Sequence, residues 1–347
     1  MRYRVAPGSG SGVGAVVATQ ILVENPYTAE THELQPGSVV GSYRILGEIG
    51  HGGMGAVFEA VHTLLPRHVA FKVLHPQLRT SPGMDSRMVQ EATMLDHIHH
   101  PGIARVFDCG LLDDGRPWIA MELVLGESLA TRLHRKTRLS PLELCNLVGA
   151  LADVLAVVHL RGIVHRDLKP DNVLFTDTGF PLRVIDWGVA RLGPSSRVTL
   201  DGVTCGTPVY MSPEQAAGRN IAPPCDIYAL GVIAYEALAG HPPFDGRTLA
   251  EVVSLHLHGD APPLAVECPA APRALCELIH QMLHKVPLYR PTATELQHSM
   301  RELVCMISKG NPEFESYEIT MGRPHSTPET ALLPTLVANP VRARSAG

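Results

Sequence analysis

The first residues in this sequence that could do chemistry form a glycine string: Gly50, His51, Gly52, Gly53, Met54, Gly55, Ala56 and Val57. Glycine lets backbone N–H groups come close to phosphate oxygens and point at them. Such strings also occur in ordinary turns, and one placed ahead of a helix would indicate a dinucleotide fold. Here Val57 and Phe58 continue as a strand, which disfavours the dinucleotide reading. Further on, Ala70 and Lys72 fall on one face of a strand, about 7 Å apart. The small residue leaves room for a flat base while the ammonium reaches phosphates; the alternative is a surface lysine at a strand edge. Lysine is scarce, with Lys72, Lys136, Lys169, Lys285 and Lys309 the only ones among many arginines. A lysine kept in such a background marks a place where its own chemistry is needed. Met84, Met88, Glu91, Leu95 and Ile98 then recur at spacings of three and four, an inward helical stripe holding one carboxylate. A charge on a buried face needs a partner, and Lys72 is the candidate. The other reading sets Glu91 at the rim of an apolar face.

A denser string follows: His165, Arg166, Asp167, Leu168, Lys169, Pro170, Asp171 and Asn172, then Asp186, Trp187 and Gly188, then Gly206 through Glu214 reading GTPVYMSPE. The first of these resembles the catalytic loop of protein kinases, and Lys169 makes it similar to the serine/threonine type. The GTPVYMSPEQ wording is similar to bacterial members of that superfamily, and together the motifs cover about residues 43 to 305.

The resemblance implies Asp167 as the base that orients and accepts the proton of a substrate hydroxyl, with Asn172 and Asp186 holding Mg2+ between the phosphates of ATP. Hard oxygen ligands suit that ion, for which Mn2+ is an expected substitute. Lys169 would neutralise the migrating phosphoryl group, and Lys72 with Glu91 would complete the catalytic set. The adenine pocket is expected to be lined by Ile49, Val57, Ala70 and Leu174, with Met121 guarding a deeper pocket. The backbone from Glu122 to Val124 would form the hinge; each apolar residue reads equally well as core. Asp226 and Arg290 are expected to brace the catalytic loop and pair with Glu214.

Between Asp186 and Glu214 lies the segment that would be controlled by phosphate. Arg166 beside Asp167 suggests a phosphothreonine site, with Thr199 first, being eight residues before Thr207, and Thr204, Ser195 and Ser196 as alternates; an ordinary polar loop is the bland reading. The wording departs from the family in Trp187 for Phe, Ser212 for Ala and Phe71 for Ile or Leu, none of which binds phosphate or metal. Trp187 must stack with Leu95 and His165. Cys205 reads either as a redox switch or as an inert small residue.

These residues need a scaffold. From Tyr43 to Leu74 an alternating, turn-punctuated pattern predicts three antiparallel strands; a helix and two further strand-like runs, ARVFDCGLL and RPWIAMELV, follow. After about Gly126 the character becomes helical. Ser140, Pro141, Leu142 and Glu143 form a capping box with proline at the first helical position, ahead of a stripe of Leu144, Leu147, Val148, Leu151 and Leu155. A second long helix is predicted from about Asp226 to Ala239, and a last one from the Thr292–Glu295 capping box. The expected fold is α+β and bilobal: a small antiparallel β lobe with one main helix over residues 41–124 and a larger helical lobe over 125–305. Residues 1–40 and 306–347, rich in Gly, Ser, Thr and Pro, are expected to be flexible tails.

With 45% apolar residues and a net charge of -5, the chain belongs with soluble globular proteins. No long basic run points to nucleic acid. Seven scattered cysteines without C-x-x-C pairs suit reduced thiols in a cytosol. The apolar stretch Val13 to Val23 is broken by Thr19 and Gln20 and falls short of the roughly 20 residues of a membrane span, and no other stretch does better. Arg2 and Arg4 lead into Pro7 and Gly8, not a signal core. A cytoplasmic protein with protein substrates is expected, and a homodimer through the small lobe is the arrangement seen in similar kinases. An ATP-binding pseudokinase scaffold and a small-molecule kinase are the competing readings.

Overall fold

The computed structural model describes residues 34–52, 55–75, 92, 95, 97–177, 179–187 and 208–309. Six strands form one antiparallel sheet: β1 (Val39–Val40), β2 (Tyr43–Gly52), β3 (Gly55–His62), β4 (His68–Leu74), β5 (Val106–Leu111) and β6 (Pro117–Glu122), in the spatial order β1-β2-β3-β4-β6-β5. The three predicted strands before Leu74 and the two after it are all present. Alternation along β4 divides the sheet into two faces. Val69, Phe71 and Val73 are buried beneath Tyr43, Ile45, Phe58 and Trp118, and Phe71 stacks on Trp118 at 4.8 Å between centroids. Ala70 and Lys72 point the other way and are half-buried. Phe71, unusual at its position, is thus a core residue whose ring fills this small lobe.

The remainder is mainly helical. Its larger helices are α1 (Leu129–Lys136), α2 (Pro141–His159), α4 (Pro224–Ala239), α5 (Leu249–His258), α7 (Arg273–Met282) and α8 (Ala293–Lys309); α3 (Pro213–Ala216) and α6 (Leu264–Glu267) are single turns. α2 starts at the predicted cap: Ser140 Oγ accepts from Glu143 N and the Glu143 carboxylate accepts from Ser140 N. Thr292 and Glu295 do the same for α8. The predicted stripe of α2 is buried, and so are Cys145, Ala152, Val154 and Val158, because α2 lies inside the lobe. Against the expectation that no stretch does better than Val13 to Val23 as a membrane span, α2 is long and apolar enough to cross a membrane by length and composition; its apolar side chains belong to the main core with those of α4 and α8.

A short hairpin, β7 (Val173–Phe175) with β8 (Leu182–Val184), lies on the helical lobe facing the large sheet. Ile103 bridges to Val184, and Val184 N donates to Gly102 O at 2.7 Å, so the chain leading into β5 is fastened to the hairpin. Met84, Met88, Glu91, Thr199, Thr204 and Thr207 lie outside the described residues, as do Gly53, Met54, Ser195, Ser196, Cys205 and residues 1–33 and 310–347; of the stretches expected to be tails, Val39–Val40 form β1 and 306–309 end α8.

Candidate active site

The half-buried face of the sheet carries Val57, Ala70, Lys72 and Met121, placed side by side by register: Lys72 lies opposite Val57 and Ile119, and Ala70 opposite Met121. Ile49 is exposed at the end of β2, near the glycine turn, where Gly52 pairs with Gly55. Only glycine fits at 55, because a Cβ there would fall on the Val73 carbonyl oxygen. His75 Nε2 meets Gly52 O at 2.8 Å and His51 Nδ1 meets Glu48 Oε1 at 3.1 Å, so the β2 side of the turn is tied down. Leu174, in β7, is half-buried and bridges to Ser128 across the connecting segment. Within that segment the Glu122 N–H is committed to Arg105 O at 2.7 Å.

The polar groups gather beneath Lys72. Its Nζ donates to Asp186 Oδ1 at 2.7 Å, joining the sheet to the segment after β8. The expected partner Glu91 lies outside the described residues. Burial works to raise the Asp186 carboxyl, but Lys72, its hydrogen bond and the more distant Lys169 outweigh it and hold the group below the ordinary carboxylate value. Asp186 has φ 57° and Arg166 φ 65°, left-handed conformations that cost a non-glycine residue energy and persist only where surroundings enforce them.

Those surroundings can be traced. Asp226, 1% exposed, accepts from His165 N at 2.8 Å and Arg166 N at 2.9 Å, and its Oδ2 meets His159 Nε2 at 2.8 Å. Burial pushes the Asp226 carboxyl up, yet these bonds and the two histidines bring it below its usual value. His165 is fully buried. Its Nε2–H donates to Ile185 O at 3.1 Å and its Nδ1 accepts from Asp167 N at 3.3 Å, which defines a neutral ring, and burial lowers its pKa accordingly. Trp187 packs on that ring at 4.7 Å, as its position required, shares the core with Leu95, and donates Nε1–H to Val184 O at 3.2 Å. Gln215 Nε2 donates to Arg166 O at 2.8 Å.

This frame presents three side chains. Asp167 is partly exposed, with Lys169 Nζ 3.9 Å from its Oδ2. Asn172, on a 3-10 turn (Pro170–Asn172), gives Nδ2–H to Asp167 O at 2.8 Å. A carbonyl can only accept, so Asn172 Oδ1 is left for another electropositive group. With the Asp186 carboxylate this makes a pair of hard oxygen donors, the set that suits a small divalent cation. An ammonium, two oxygen donors and a carboxylate with its own lysine therefore converge on one cleft.

Away from the cleft, Arg290 and Glu214 form a buried bidentate pair at 2.6 and 2.8 Å, as expected of them. Sequence reasoning missed His159, which holds Asp226 across 67 residues, and Gln215, which holds the loop at Arg166 across 49. The S-x-x-Q capping box at Ser212 marks Gln215, since Ser212 and Gln215 cap α3 reciprocally; nothing local marks His159.

Residues 43–300 match the protein kinase domain family. The chain is 39% identical over 242 residues to the serine/threonine-protein kinase PknA of Mycobacterium tuberculosis, covering 69% of this chain and 56% of PknA. It is 36% identical over 305 residues to the serine/threonine-protein kinase Pkn2 of Myxococcus xanthus, covering 85% of this chain and 36% of that one. It is also 39% identical over 271 residues to the DNA damage-responsive serine/threonine-protein kinase RqkA of Deinococcus radiodurans, covering 74% and 39%. The chain thus spans about half or less of the length of these relatives. The crystal structure of the Mycobacterium tuberculosis PknI kinase domain superposes with a TM-score of 0.64 at 27% identity, over 78% of this chain and all of that one.

Proposed function

Because this chain belongs to the protein kinase family, a family that uses ATP and a divalent metal to phosphorylate proteins, we propose that it is an active serine/threonine protein kinase built from a small lobe over 41–124 and a large lobe over 125–305. The observation that carries this reading is the convergence of Lys72, Asp186, Asn172, Asp167 and Lys169 on one cleft. Ala70, Val57, Met121 and Leu174 hold the adenine ring. With its N–H already used, Glu122 offers its carbonyl to the base, and Val124 its backbone. The turn from Gly50 to Gly55 covers the phosphates and Lys72 pairs with them. Asn172 and Asp186 would hold Mg2+, or Mn2+ in its place, whose charge supplies electrostatic stabilisation of the phosphates.

Asp167 accepts the proton of a Ser or Thr hydroxyl on the substrate protein as that oxygen bonds to the γ-phosphorus. The bond from the γ-phosphorus to its bridging oxygen breaks, and ADP departs with that electron pair. Lys169 balances charge on the moving phosphoryl group. The segment from Pro208 to Glu214 is the peptide-facing platform. Phosphate on Thr199, or on Thr204, would bind Arg166 and order the intervening loop. A cytoplasmic location and pairing of small lobes complete the reading.

Transfer of labelled γ-phosphate to proteins tests it. Asp167→Asn should lower the rate on the order of 10²–10⁴-fold while nucleotide still binds. An inactive wild type that binds nucleotide would instead favour a scaffold, and transfer only to small alcohols or aminoglycosides would refute protein specificity. Thr199→Ala should reduce activity; if it and Thr204→Ala both leave activity intact, the phosphate-control reading falls.

A further inference from the structure

The side chains of His51, inside the glycine string, and His75, one residue past β4, do not face the cleft. Alternation fixes where they stand. Lys72 lies on the nucleotide side of β4 while Val73 faces the core, and register sets Val73 opposite Ala56 and Ala56 opposite His51. His51, Ala56, Phe58, Val73 and His75 border one cavity on that side of the sheet. Both rings are therefore on the face turned away from Lys72, and anything they do to a nucleotide passes through the backbone.

The two arms of the glycine turn are held differently. The β3 arm is fixed against β4, with Gly55 opposite Leu74 and no room for a Cβ beside Val73 O. The β2 arm is paired on one side only among the described residues, because β1 reaches no further than Tyr43 and Arg44. Its pairing with β3 also slips twice, between Ile45 and Gly47 and between Glu48 and Gly50. At Gly52 no packing compensates: a Cβ built there would have no neighbour within 4 Å among the described residues, and glycine adds its own freedom.

The Gly52 carbonyl is the group that His75 holds. A carbonyl can only accept, so His75 Nε2–H donates to it, at 2.8 Å. β3 lies between the two strands and begins with the small residues Gly55 and Ala56, so the ring has room to reach β2. His51 lies against His75 with ring centres 4.9 Å apart. It donates Nδ1–H to Glu48 Oε1 at 3.1 Å, and Glu48 stands at the second slip.

We propose that His75 is a positioning residue for ATP: by pinning Gly52 O to the end of β4, it sets the turn over the phosphates in step with Lys72. This rests on the kinase reading of the cleft. Lys72 and His75 stand three residues apart on one stretch of chain, so the ammonium and the cover above it take their positions from the same strand. A turn already held in place loses less freedom when phosphates arrive. The gain goes to nucleotides that carry phosphates and not to the base.

The test is direct binding of ATP with Mg2+, and of adenosine, to wild type, His75→Ala and His75→Gln, whose amide nitrogen can replace Nε2. By calorimetry His75→Ala should bind ATP about fivefold more weakly, the size of one ordinary hydrogen bond, and adenosine as wild type does. His75→Gln should stay within about twofold of wild type for both. In phosphoryl transfer, KM for ATP should rise in the same ratio in His75→Ala while KM for the protein acceptor is unchanged. Equal ATP affinity in wild type and His75→Ala would overturn the proposal. So would an equal loss for adenosine, the mark of a general loosening of the small lobe, or a His75→Gln variant no better than His75→Ala. A wild type that binds ATP but transfers no phosphate would refute the kinase reading and leave the comparison of ATP with adenosine to decide the role of His75. A wild type that binds no ATP would refute both.

Discussion

Replacing Arg290 by methionine should be among the most damaging single changes outside the cleft. The Arg290 side chain is 0% exposed and that of Glu214 7%. The guanidinium spends two bonds on the carboxylate, at 2.6 and 2.8 Å, and others on Pro224 O at 2.8 Å, His284 O at 2.8 Å and Lys285 O at 3.3 Å. Its plane also lies 4.9 Å from the Tyr228 ring. Removing it leaves a buried carboxylate with no other side-chain partner among the described residues, a situation that costs about 3–5 kcal/mol. At 2–4 °C per kcal/mol for a domain of this size, Tm should fall by roughly 6–20 °C. Glu214→Gln should cost less, because the arginine keeps three carbonyl acceptors. The double variant Arg290→Met with Glu214→Gln should therefore be more stable than Arg290→Met alone. It should remain below wild type, because those three carbonyls lose their donor. Urea unfolding of the four proteins at one pH measures the cycle. A loss under about 1 kcal/mol for Arg290→Met, or a double variant no better than that single one, would refute the reasoning.

Other outcomes follow from the same geometry. Burial and then Lys285 lower the pKa of His256 from 6.5 to about 4. The folded value lies below the unfolded one, so this contribution is full above pH 6.5 and is lost as pH falls towards 4, by about 3 kcal/mol in all. His100 and His165 shift the same way, so the measurement is the difference in acid stability between wild type and His256→Gln, and equal slopes would contradict it. Gly126 precedes α1, and a Cβ there would fall on the Phe175 carbonyl oxygen; Gly126→Ala should lower Tm by several degrees in calorimetry. Trp187→Phe keeps the contact with His165 but loses the bond to Val184 O, so it should cost about 1 kcal/mol in urea unfolding and leave phosphoryl transfer within about threefold.

The parts of this fold that were legible in the sequence are those written locally. The period-2 pattern of HVAFKVL by itself places Lys72 and Ala70 on one face, and the capping boxes at Ser140 and Thr292 mark two helix starts. The stripe chosen for α2 was incomplete for a physical reason. A helix packed on more than one side buries Cys145, Ala152 and Val154 as well, so periodicity reports only its most apolar side. At the site, the motifs located Asp167, Asn172 and Asp186, and the frame that bends the chain at Arg166 and Asp186 was reached only through the resemblance, for Asp226, or not at all, for His159. A hydrogen bond between residues 67 positions apart leaves no pattern along the chain. The Lys72–Asp186 contact is likewise a product of folding, since nothing in either motif names the other.

Phe71 and Lys72 stand back to back on β4, one sealing the core and the other serving the cleft. A single residue inserted upstream in that strand, with pairing to β3 and β6 kept, would exchange the two, driving an ammonium among aromatic rings and offering a benzyl group to the phosphates. No lobe built on this ladder can therefore fold soundly with its chemistry out of phase, and a frame error in β4 shows itself as misfolding before it could survive as an inactive enzyme.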